Sequence, residues 1–316
     1  MNAAGGIRGR KIVLKTLDDG YEPPRAATNT KEFVEDGNVL ALFGYVGTPT
    51  SAASIPLAIK AKVPFFGAFT GAELLRTPLN RFVFNVRASH FDETETIVRQ
   101  MTQGGVTKIA VFYQNDSYGQ AGLTGVEKAL AKRNLTIAAK ATVERNSTDI
   151  ASALAPMLAA KPEVIVMISA YSSCAEFIKQ AKAKQLATQF VNVSFVGTRA
   201  SANALKTASD GVMISQVMPP PTANRFPVVV DFRKALGAKG VTEFTYTSLE
   251  GYIAARVLVE ALRRGGDASR KALIRALESL RNVDVGGFAV TLSPDNHNAS
   301  RFVEMTVLNK DGEVRY

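Results

Sequence analysis

The sequence predicts an α/β protein made of two lobes, each with a doubly wound parallel sheet, joined by several chain crossings. Short apolar runs typical of buried strands alternate with amphipathic helical segments along most of the chain. The length of 316 residues suits two lobes better than one. After the triple proline at 219–221 the pattern changes to consecutive helices, which indicates that the chain returns to its first lobe.

The elements follow from periodicity and from the turn residues that end each run. The segment KIVLKTL at 11–17 alternates as a strand does, and the Asp-Asp-Gly after it marks a turn. Further strands are predicted at 39–43, 63–66, 81–86, 108–113, 136–142, 163–168, 190–196 and 211–217, with two more in 287–309. Helices are predicted at 26–35, 49–60, 92–103, 119–132, 148–160, 171–184, 200–207, 226–236, 246–264 and 269–280.

Composition narrows the function classes. The net charge is +10, but Lys and Arg are scattered without a basic block, so we expect a positive surface and no nucleic-acid partner. The single cysteine, Cys174, excludes an internal disulfide and suits a small buried hydrophobe better than a nucleophile. With only His90 and His297, a metal site or a Ser-His-Asp triad is not expected. Phosphate-loop, dinucleotide-binding and GxSxG motifs are absent, which argues against an enzyme.

The stretch 39–60 combines a strand, a glycine break and a helix start. Thr48 stands where an N-cap belongs, and Pro49 stands at the first helical position. Such a start leaves the amides of Thr50 and Ser51 without intrahelical partners, so the helix end offers a small anion site. In open α/β sheets ligands bind at this edge, beyond the strand C-termini. The alternative is a well-capped helix that binds nothing.

Four loops at predicted strand C-termini share hydroxyls or backbone amides, and several carry an aromatic ring. They are 47–50, 68–70, 116–118 and 169–171. Two fall in each predicted lobe, so across a cleft they would hold a small polar ligand by its anionic end and sandwich its body between rings. The alternative is that these residue types are simply common in loops.

The chain is predicted to cross between the lobes near 87–89, 218–219 and 283–285. These crossings divide the chain into a first lobe of 1–88 and 218–284 and a second lobe of 89–217 and 285–316. The three prolines at 219–221 would stiffen the second crossing.

Several segments together resemble the branched-chain amino-acid (Leu/Ile/Val-binding) type of periplasmic substrate-binding protein, the receptor of an ABC importer. They are NAAGGIRGRK at 2–11, the loop 44–53, VPFFGAFTGAELL at 63–75, VFYQNDSYGQAG at 111–122, LEGYIAARVLVEAL at 249–262 and the tail. The resemblance covers essentially the whole chain. It implies two Rossmann-like lobes with three hinge crossings that close on a ligand, a permease partner, a periplasmic location, a monomer, and neither catalysis nor a cofactor.

The resemblance also implies roles for residues in the four loops. The ligand carboxylate would be held by Thr48 with the amides of Thr50 and Ser51. The loop 68–70 would add the Ala68 carbonyl, the Phe69 ring and the Thr70 hydroxyl, and the second lobe would add Tyr118 and Tyr171. Receptors of this type place an acid after a later strand to pair with the ligand ammonium.

The corresponding loop here, 197–199, has Arg199 and no acid. We therefore expect a carboxylate without an α-amino group, such as an organic or aromatic acid, to be preferred over an amino acid. An acid elsewhere, such as Glu250, could still serve an ammonium group.

Two further expectations follow from the resemblance. Family members begin with a secretion signal, a strand and a helix before a segment like 2–10, so we expect that Met1 is not the natural start and that the first strand and helix of the first lobe are missing. The competing function is a ligand-sensing module of the same fold in a signalling or regulatory system. A helix-turn-helix at the N-terminus would favour sensing, and the sequence shows none.

Overall fold

The computed structural model describes residues 1–316, the side chain of Ala4 excepted. The α-helices are α1 Pro23–Glu35, α2 Thr48–Lys60, α3 His90–Gln103, α4 Ser117–Ala131, α5 Ala151–Ala160, α6 Tyr171–Ala183, α7 Thr198–Leu205, α8 Pro227–Gly237, α9 Tyr246–Arg264 and α10 Arg270–Glu278. Helix α1 begins three residues before its predicted start because prolines fit the first helical positions. Among the helices described, none has both the length and the apolar character needed to cross a bilayer.

The strands are short in one part of the chain and longer in the other. They are β1 Leu42–Phe43, β2 Phe65–Phe66, β3 Val83–Phe84, β4 Ile109–Gln114, β5 Lys140–Val143, β6 Val164–Ile168, β7 Gln189–Asn192, β8 Met213–Gln216, β9 Val283–Asp284, β10 Ala289–Val290, β11 Glu304–Leu308 and β12 Val314–Arg315. A small parallel sheet has the order β1-β2-β3, and a larger one has the order β12-β11-β8-β7-β6-β4-β5.

The large sheet is parallel from β8 to β5, and at one edge β11 pairs antiparallel with both β8 and β12. Strand β6 is buried along its whole length, as expected for a central parallel strand covered by helices on both faces. Ridges of aliphatic and aromatic side chains fill the two faces, with Phe112 and Phe177 on one and Ile109 and Leu130 on the other. The predicted fold class, α/β with parallel-dominated sheets in two lobes, is confirmed.

The small sheet packs against the helices that follow the triple proline. Phe66 and Phe84 share one core with residues of α8, α9 and α10. The tail residues Val285, Phe288 and Ala299 also belong to that core. The division into lobes stays a prediction, but we propose that the third crossing lies between Ala299 and β11, later than the 283–285 expected from the sequence.

The predicted strand at 11–17 is wrong. The segment is extended, but its backbone pairs with no strand in the described part of the chain. Val13 and Leu14 are 79% and 71% exposed, so its alternating apolar residues face solvent. Alternation is a necessary pattern for a half-buried strand, but only a neighbouring ladder of hydrogen bonds makes a segment into one.

Candidate functional site

Helix α2 starts one residue earlier than predicted. Its N-cap is Gly47, and Thr48 is already the first helical residue, so the predicted capping role of Thr48 is wrong. Gly47 adopts φ 94°, and a Cβ there would lie 2.1 Å from the ring of Tyr21, so glycine is required on both counts. The Gly47 N–H donates to the Phe69 carbonyl at 3.1 Å, which fastens this helix start to the next loop.

Of the three hydroxyls at the start of α2, two donate to a backbone carbonyl before the helix and one bonds the neighbouring loop. Thr50 and Ser51 donate back to the Gly47 carbonyl at 3.1 and 2.6 Å. The Ser51 N–H also bonds the Gly47 carbonyl at 3.2 Å, so the prediction that this amide is open is wrong: the helix begins one residue earlier and uses it. The Thr50 N–H has no acceptor among the described residues. The Thr48 hydroxyl instead reaches across to Thr70, with 2.6 Å between their Oγ1 atoms.

Thr70 leads into a buried polar network. Its Oγ1 lies 3.4 Å from His90 Nε2, which also accepts from the Gly71 N–H at 3.2 Å. Because that amide can only donate, Nε2 is the acceptor, and Nδ1 carries the proton that faces Glu93 Oε1 at 3.2 Å. Burial lowers the pKa of His90 more than Glu93 raises it, so the imidazole is neutral.

Glu93 is the anion at the centre of this network. Its Oε2 accepts from the Ser194 N–H at 2.8 Å and from the Ser215 hydroxyl at 2.7 Å, and its Oε1 lies 3.7 Å from Arg87 Nη2. Burial by itself would raise the pKa of Glu93, but the hydrogen bond from His90 and the charge of Arg87 prevail and lower it to about 2. Glu93 therefore stays ionised, although it is fully buried.

We expect acid to destabilise the protein through Glu93. The folded pKa of about 2 lies below the ordinary 4.5, so this stabilisation is complete above about pH 4.5 and disappears as the pH falls to about 2. Denaturant unfolding measured across that window should show a steeper loss of free energy in the wild type than in Glu93→Gln. The variant should be less stable at neutral pH, and equal slopes in the two proteins would contradict the assignment.

Aromatic rings from both sheets meet beside this network. Phe195 lies in the loop after β7. Its ring centroid is 4.5 Å from that of Tyr118, 5.5 Å from that of Phe69 and 5.9 Å from that of Tyr21. Tyr118 is fully buried, and its hydroxyl has no hydrogen-bond partner among the described residues. The predicted Phe69 and Tyr118 are thus brought together, while Phe195 and Tyr21 were missed. Phe195 was missed because the predicted strand 190–196 included it, whereas β7 ends at Asn192 and leaves Phe195 in the segment that follows.

Hydrogen bonds join the segment before α1 to the end of β4 and the loop after β5. Glu22 binds Arg145 at 3.0 Å and Asn146 at 2.7 Å. The Gln114 amide donates to the Tyr21 hydroxyl at 3.1 Å. Residues before α1 therefore bind the end of β4 and the loop after β5, and these bonds must break before the cleft opens.

A small cavity of about 10 Å³, room for about one water molecule, lies beside the predicted second crossing at Val217 and Met218. Its polar lining includes Ser194, Gln216, Tyr246, Thr247 and Glu250, with the Phe69 ring on one side. Burial raises the pKa of Glu250 to about 7; the charge of Arg87 opposes the rise, and Glu93 adds to it.

Arg87, beside that cavity, is a buried charge that the sequence analysis did not place in the candidate site. It is 1% exposed, its guanidinium lies 4.7 Å from the Phe69 ring centroid, and its Nη1 lies 3.5 Å from Glu250. The available signal was a charged residue between the buried Val86 and Ala88 at a predicted crossing.

Two predicted site residues lie apart from the others. Tyr171 begins α6 and is 47% exposed. Arg199 is exposed on α7 and forms an ion pair with Glu243 at 2.6 Å. Both follow strands, as predicted, but their side chains extend into solvent instead of joining the buried group. Ala68 is buried beside Phe69, and the role of its carbonyl stays a prediction.

Comparison with known proteins agrees with this geometry. The sequence model of the periplasmic binding protein family matches residues 1–313. The solved structure of a possible leucine/isoleucine/valine-binding protein from Rhodopirellula baltica SH 1 is 35% identical, with a TM-score of 0.95 over 99% of this chain and 87% of that one. A substrate-binding periplasmic protein from Ralstonia solanacearum is 32% identical, with a TM-score of 0.92 over 99% and 90%.

A sequence relative points the same way. The Leu/Ile/Val-binding protein homolog 8 of Brucella abortus (strain 2308) is 23% identical over 99% of this chain and 82% of its own length. These relatives are substrate-binding proteins and not enzymes. The chain therefore belongs to the periplasmic binding protein family, in its Leu/Ile/Val-binding type with the type I fold, as its motifs predicted.

Proposed function

We propose that this protein is the periplasmic solute-binding receptor of an ABC importer, and that its lobes close on a small ligand bearing a carboxylate. The observation that carries the proposal is the bond between the buried Thr48 and Thr70 hydroxyls at the start of α2, and the buried, unpartnered Tyr118 hydroxyl supports it. The name of the Rhodopirellula baltica relative, a possible leucine/isoleucine/valine-binding protein, supports a carboxylate-bearing ligand.

The start of α2 supplies what a carboxylate needs. The open Thr50 amide and the partial positive charge of the helix N-terminus attract an anion, and the Thr48 and Thr70 hydroxyls can donate to its oxygens. Phe69 and Phe195 contact each other and would offer an apolar surface to the body of the ligand. A ligand oxygen would also give the buried Tyr118 hydroxyl the partner it lacks.

Ligand binding would act by selecting the closed state. The bonds from Glu22 to Arg145 and Asn146 already favour closure, and a ligand that contacts both lobes would add its own binding energy to that state alone. The permease would then receive the closed, loaded form. Thermal-shift screening of amino acids against short aliphatic and aromatic acids would identify the ligand class, since binding to the native state raises the melting temperature.

Thr48→Val tests the anion site. We expect this variant to bind the best acid from that screen about 1–3 kcal/mol more weakly, the scale of a lost hydrogen bond to a charged group. Titration calorimetry on the folded variant measures the loss. The matched control is Thr94→Val, because Thr94 is also buried but donates only to carbonyls of its own helix, those of His90 at 2.7 Å and Phe91 at 3.4 Å. Unchanged affinity in Thr48→Val would remove the carboxylate site from α2.

A further inference from the structure

Glu250 is the acid that lines the small cavity beside the second crossing. It lies on α9, is 8% exposed, and forms no hydrogen bond to any described residue. Its nearest cation is the Arg87 guanidinium, 3.5 Å from Glu250 Oε1. That guanidinium is shared with Glu93 and with the hydroxyl of Ser194. Glu250 is thus a buried carboxyl group whose one neighbouring cation, Arg87, also pairs with Glu93.

The groups around Glu250 provide no cation that balances its negative charge alone. Glu93 already compensates Arg87 and is fixed as an anion by its three hydrogen bonds. On α9 itself, the Tyr246 phenol is neutral because burial raises its pKa. The other buried guanidinium, Arg76, donates to the backbone carbonyls of Arg87 and Ala88 and is not among the groups lining the cavity.

The neutral wall of the cavity does not change this balance. Ser194, Gln216 and Thr247 bring hydroxyls and an amide but no charge. An ionised Glu250 would therefore add a second buried negative charge beside a single buried cation, Arg87, that is already paired.

A ligand in the closed cleft acts on Glu250 in two ways. Its carboxylate at the Thr48–Thr70 pair would lie next to Phe69, which precedes Thr70 in the chain and lines the same cavity as Glu250, and it would repel a second anion there. Its apolar body against the Phe69 ring would displace the remaining water from the cavity. Repulsion and desolvation both disfavour the ionised form of a carboxyl group, so they act in the same direction.

We propose that Glu250 determines ligand class: it is protonated when the ligand is bound, so the cleft takes a carboxylic acid without an α-amino group and gains one proton from solvent as it closes. This inference rests on the proposed function, since it requires a carboxylate ligand. An α-ammonium group near Glu250 would instead keep Glu250 ionised, and binding would release a proton. The pH dependence of affinity therefore has opposite signs for the two ligand classes.

The test compares 4-methylpentanoate with leucine, which differ by the ammonium group. We expect wild-type affinity for 4-methylpentanoate to fall about 30-fold between about pH 6 and about pH 8.5, as linkage to one group titrating near pH 7 requires. Glu250→Gln, a neutral mimic of the protonated acid, should bind equally at both pH values and about as tightly as the wild type does at pH 6. Calorimetry in buffers of different ionisation enthalpy should show proton uptake in the wild type alone.

Glu260→Gln is the matched control, because Glu260 lies on the same helix at the surface, where it pairs with Arg264. It should keep the wild-type pH profile. Leucine affinity that rises with pH and is lost in Glu250→Gln would overturn the inference, and so would binding of 4-methylpentanoate with no pH dependence. Failure of the proposed function looks different: neither probe would bind the wild type at either pH, or Thr48→Val would bind as the wild type does.

Discussion

Arg87→Met is expected to lower the free energy of unfolding by roughly 3–5 kcal/mol, the cost of breaking a buried ion pair on one side. The guanidinium is fully buried between Glu93 and Glu250, at 3.7 and 3.5 Å. Removing it leaves Glu93 buried as an anion with only neutral donors around it. Methionine keeps an apolar stem of similar course, so the packing of the stem is retained while the charge is removed.

Denaturant unfolding at about pH 7 measures this loss. The matched control is Arg264→Met, which breaks an exposed ion pair to Glu260 at 2.8 Å on α9 and should cost less than about 1 kcal/mol. Adding Glu93→Gln to Arg87→Met should cost less than the sum of the two single changes, because the second change removes the anion that the first one stranded. A loss in Arg87→Met no larger than the loss in Arg264→Met would contradict the structural role given to Arg87.

Gly119→Ala is expected to destabilise the protein by roughly 3 kcal/mol, the upper end of the cost of overpacking. A Cβ at Gly119 would lie 1.8 Å from the backbone oxygen of Gln114, and the backbone there has little freedom to move. Gln114 ends β4 inside the large sheet, and the Asp116 side chain caps α4 by accepting from the Tyr118 and Gly119 amides at 2.9 and 3.4 Å. Moving either element would also displace Tyr118 from the site.

Gly251→Ala is the matched control on α9, and it should change stability in the opposite direction. Gly251 is helical and exposed, and a Cβ there would meet nothing within 4 Å. The substitution should therefore gain up to about 1 kcal/mol from helix propensity. Thermal unfolding of both variants gives the comparison, and a similar change in the two would show that the close approach at Gly119 is not rigid.

The sequence by itself determined the alternation of strands and helices, because each buried strand carries its own signal. The run at β6 is apolar throughout, β4 is apolar up to its last residue, Gln114, and the long amphipathic helix α9 follows a 3.6-residue period. The same local logic located the loop 68–70 and placed the start of α2 within one residue, although the N-cap is Gly47 and not Thr48. The family could be predicted from sequence because its motifs are also short local segments.

Only the tertiary structure decided which of these loops form the site. Thr48 and Thr70 meet because β1 and β2 are neighbours in one sheet, whereas Tyr171 and Arg199 follow strands in the same way and remain exposed. No local pattern separates the two outcomes, because both kinds of loop are polar.

The buried charges show the same limit. Arg87, Glu93 and Glu250 come from a crossing, α3 and α9, and each alone reads as an ordinary surface residue. Burying them is tolerable only because the fold brings opposite charges and hydrogen-bond donors together from distant parts of the chain. The segment 11–17 is the converse case: its pattern favours a strand, but a strand exists only where a partner supplies the hydrogen-bond ladder, and that partner is a property of the fold and not of the segment.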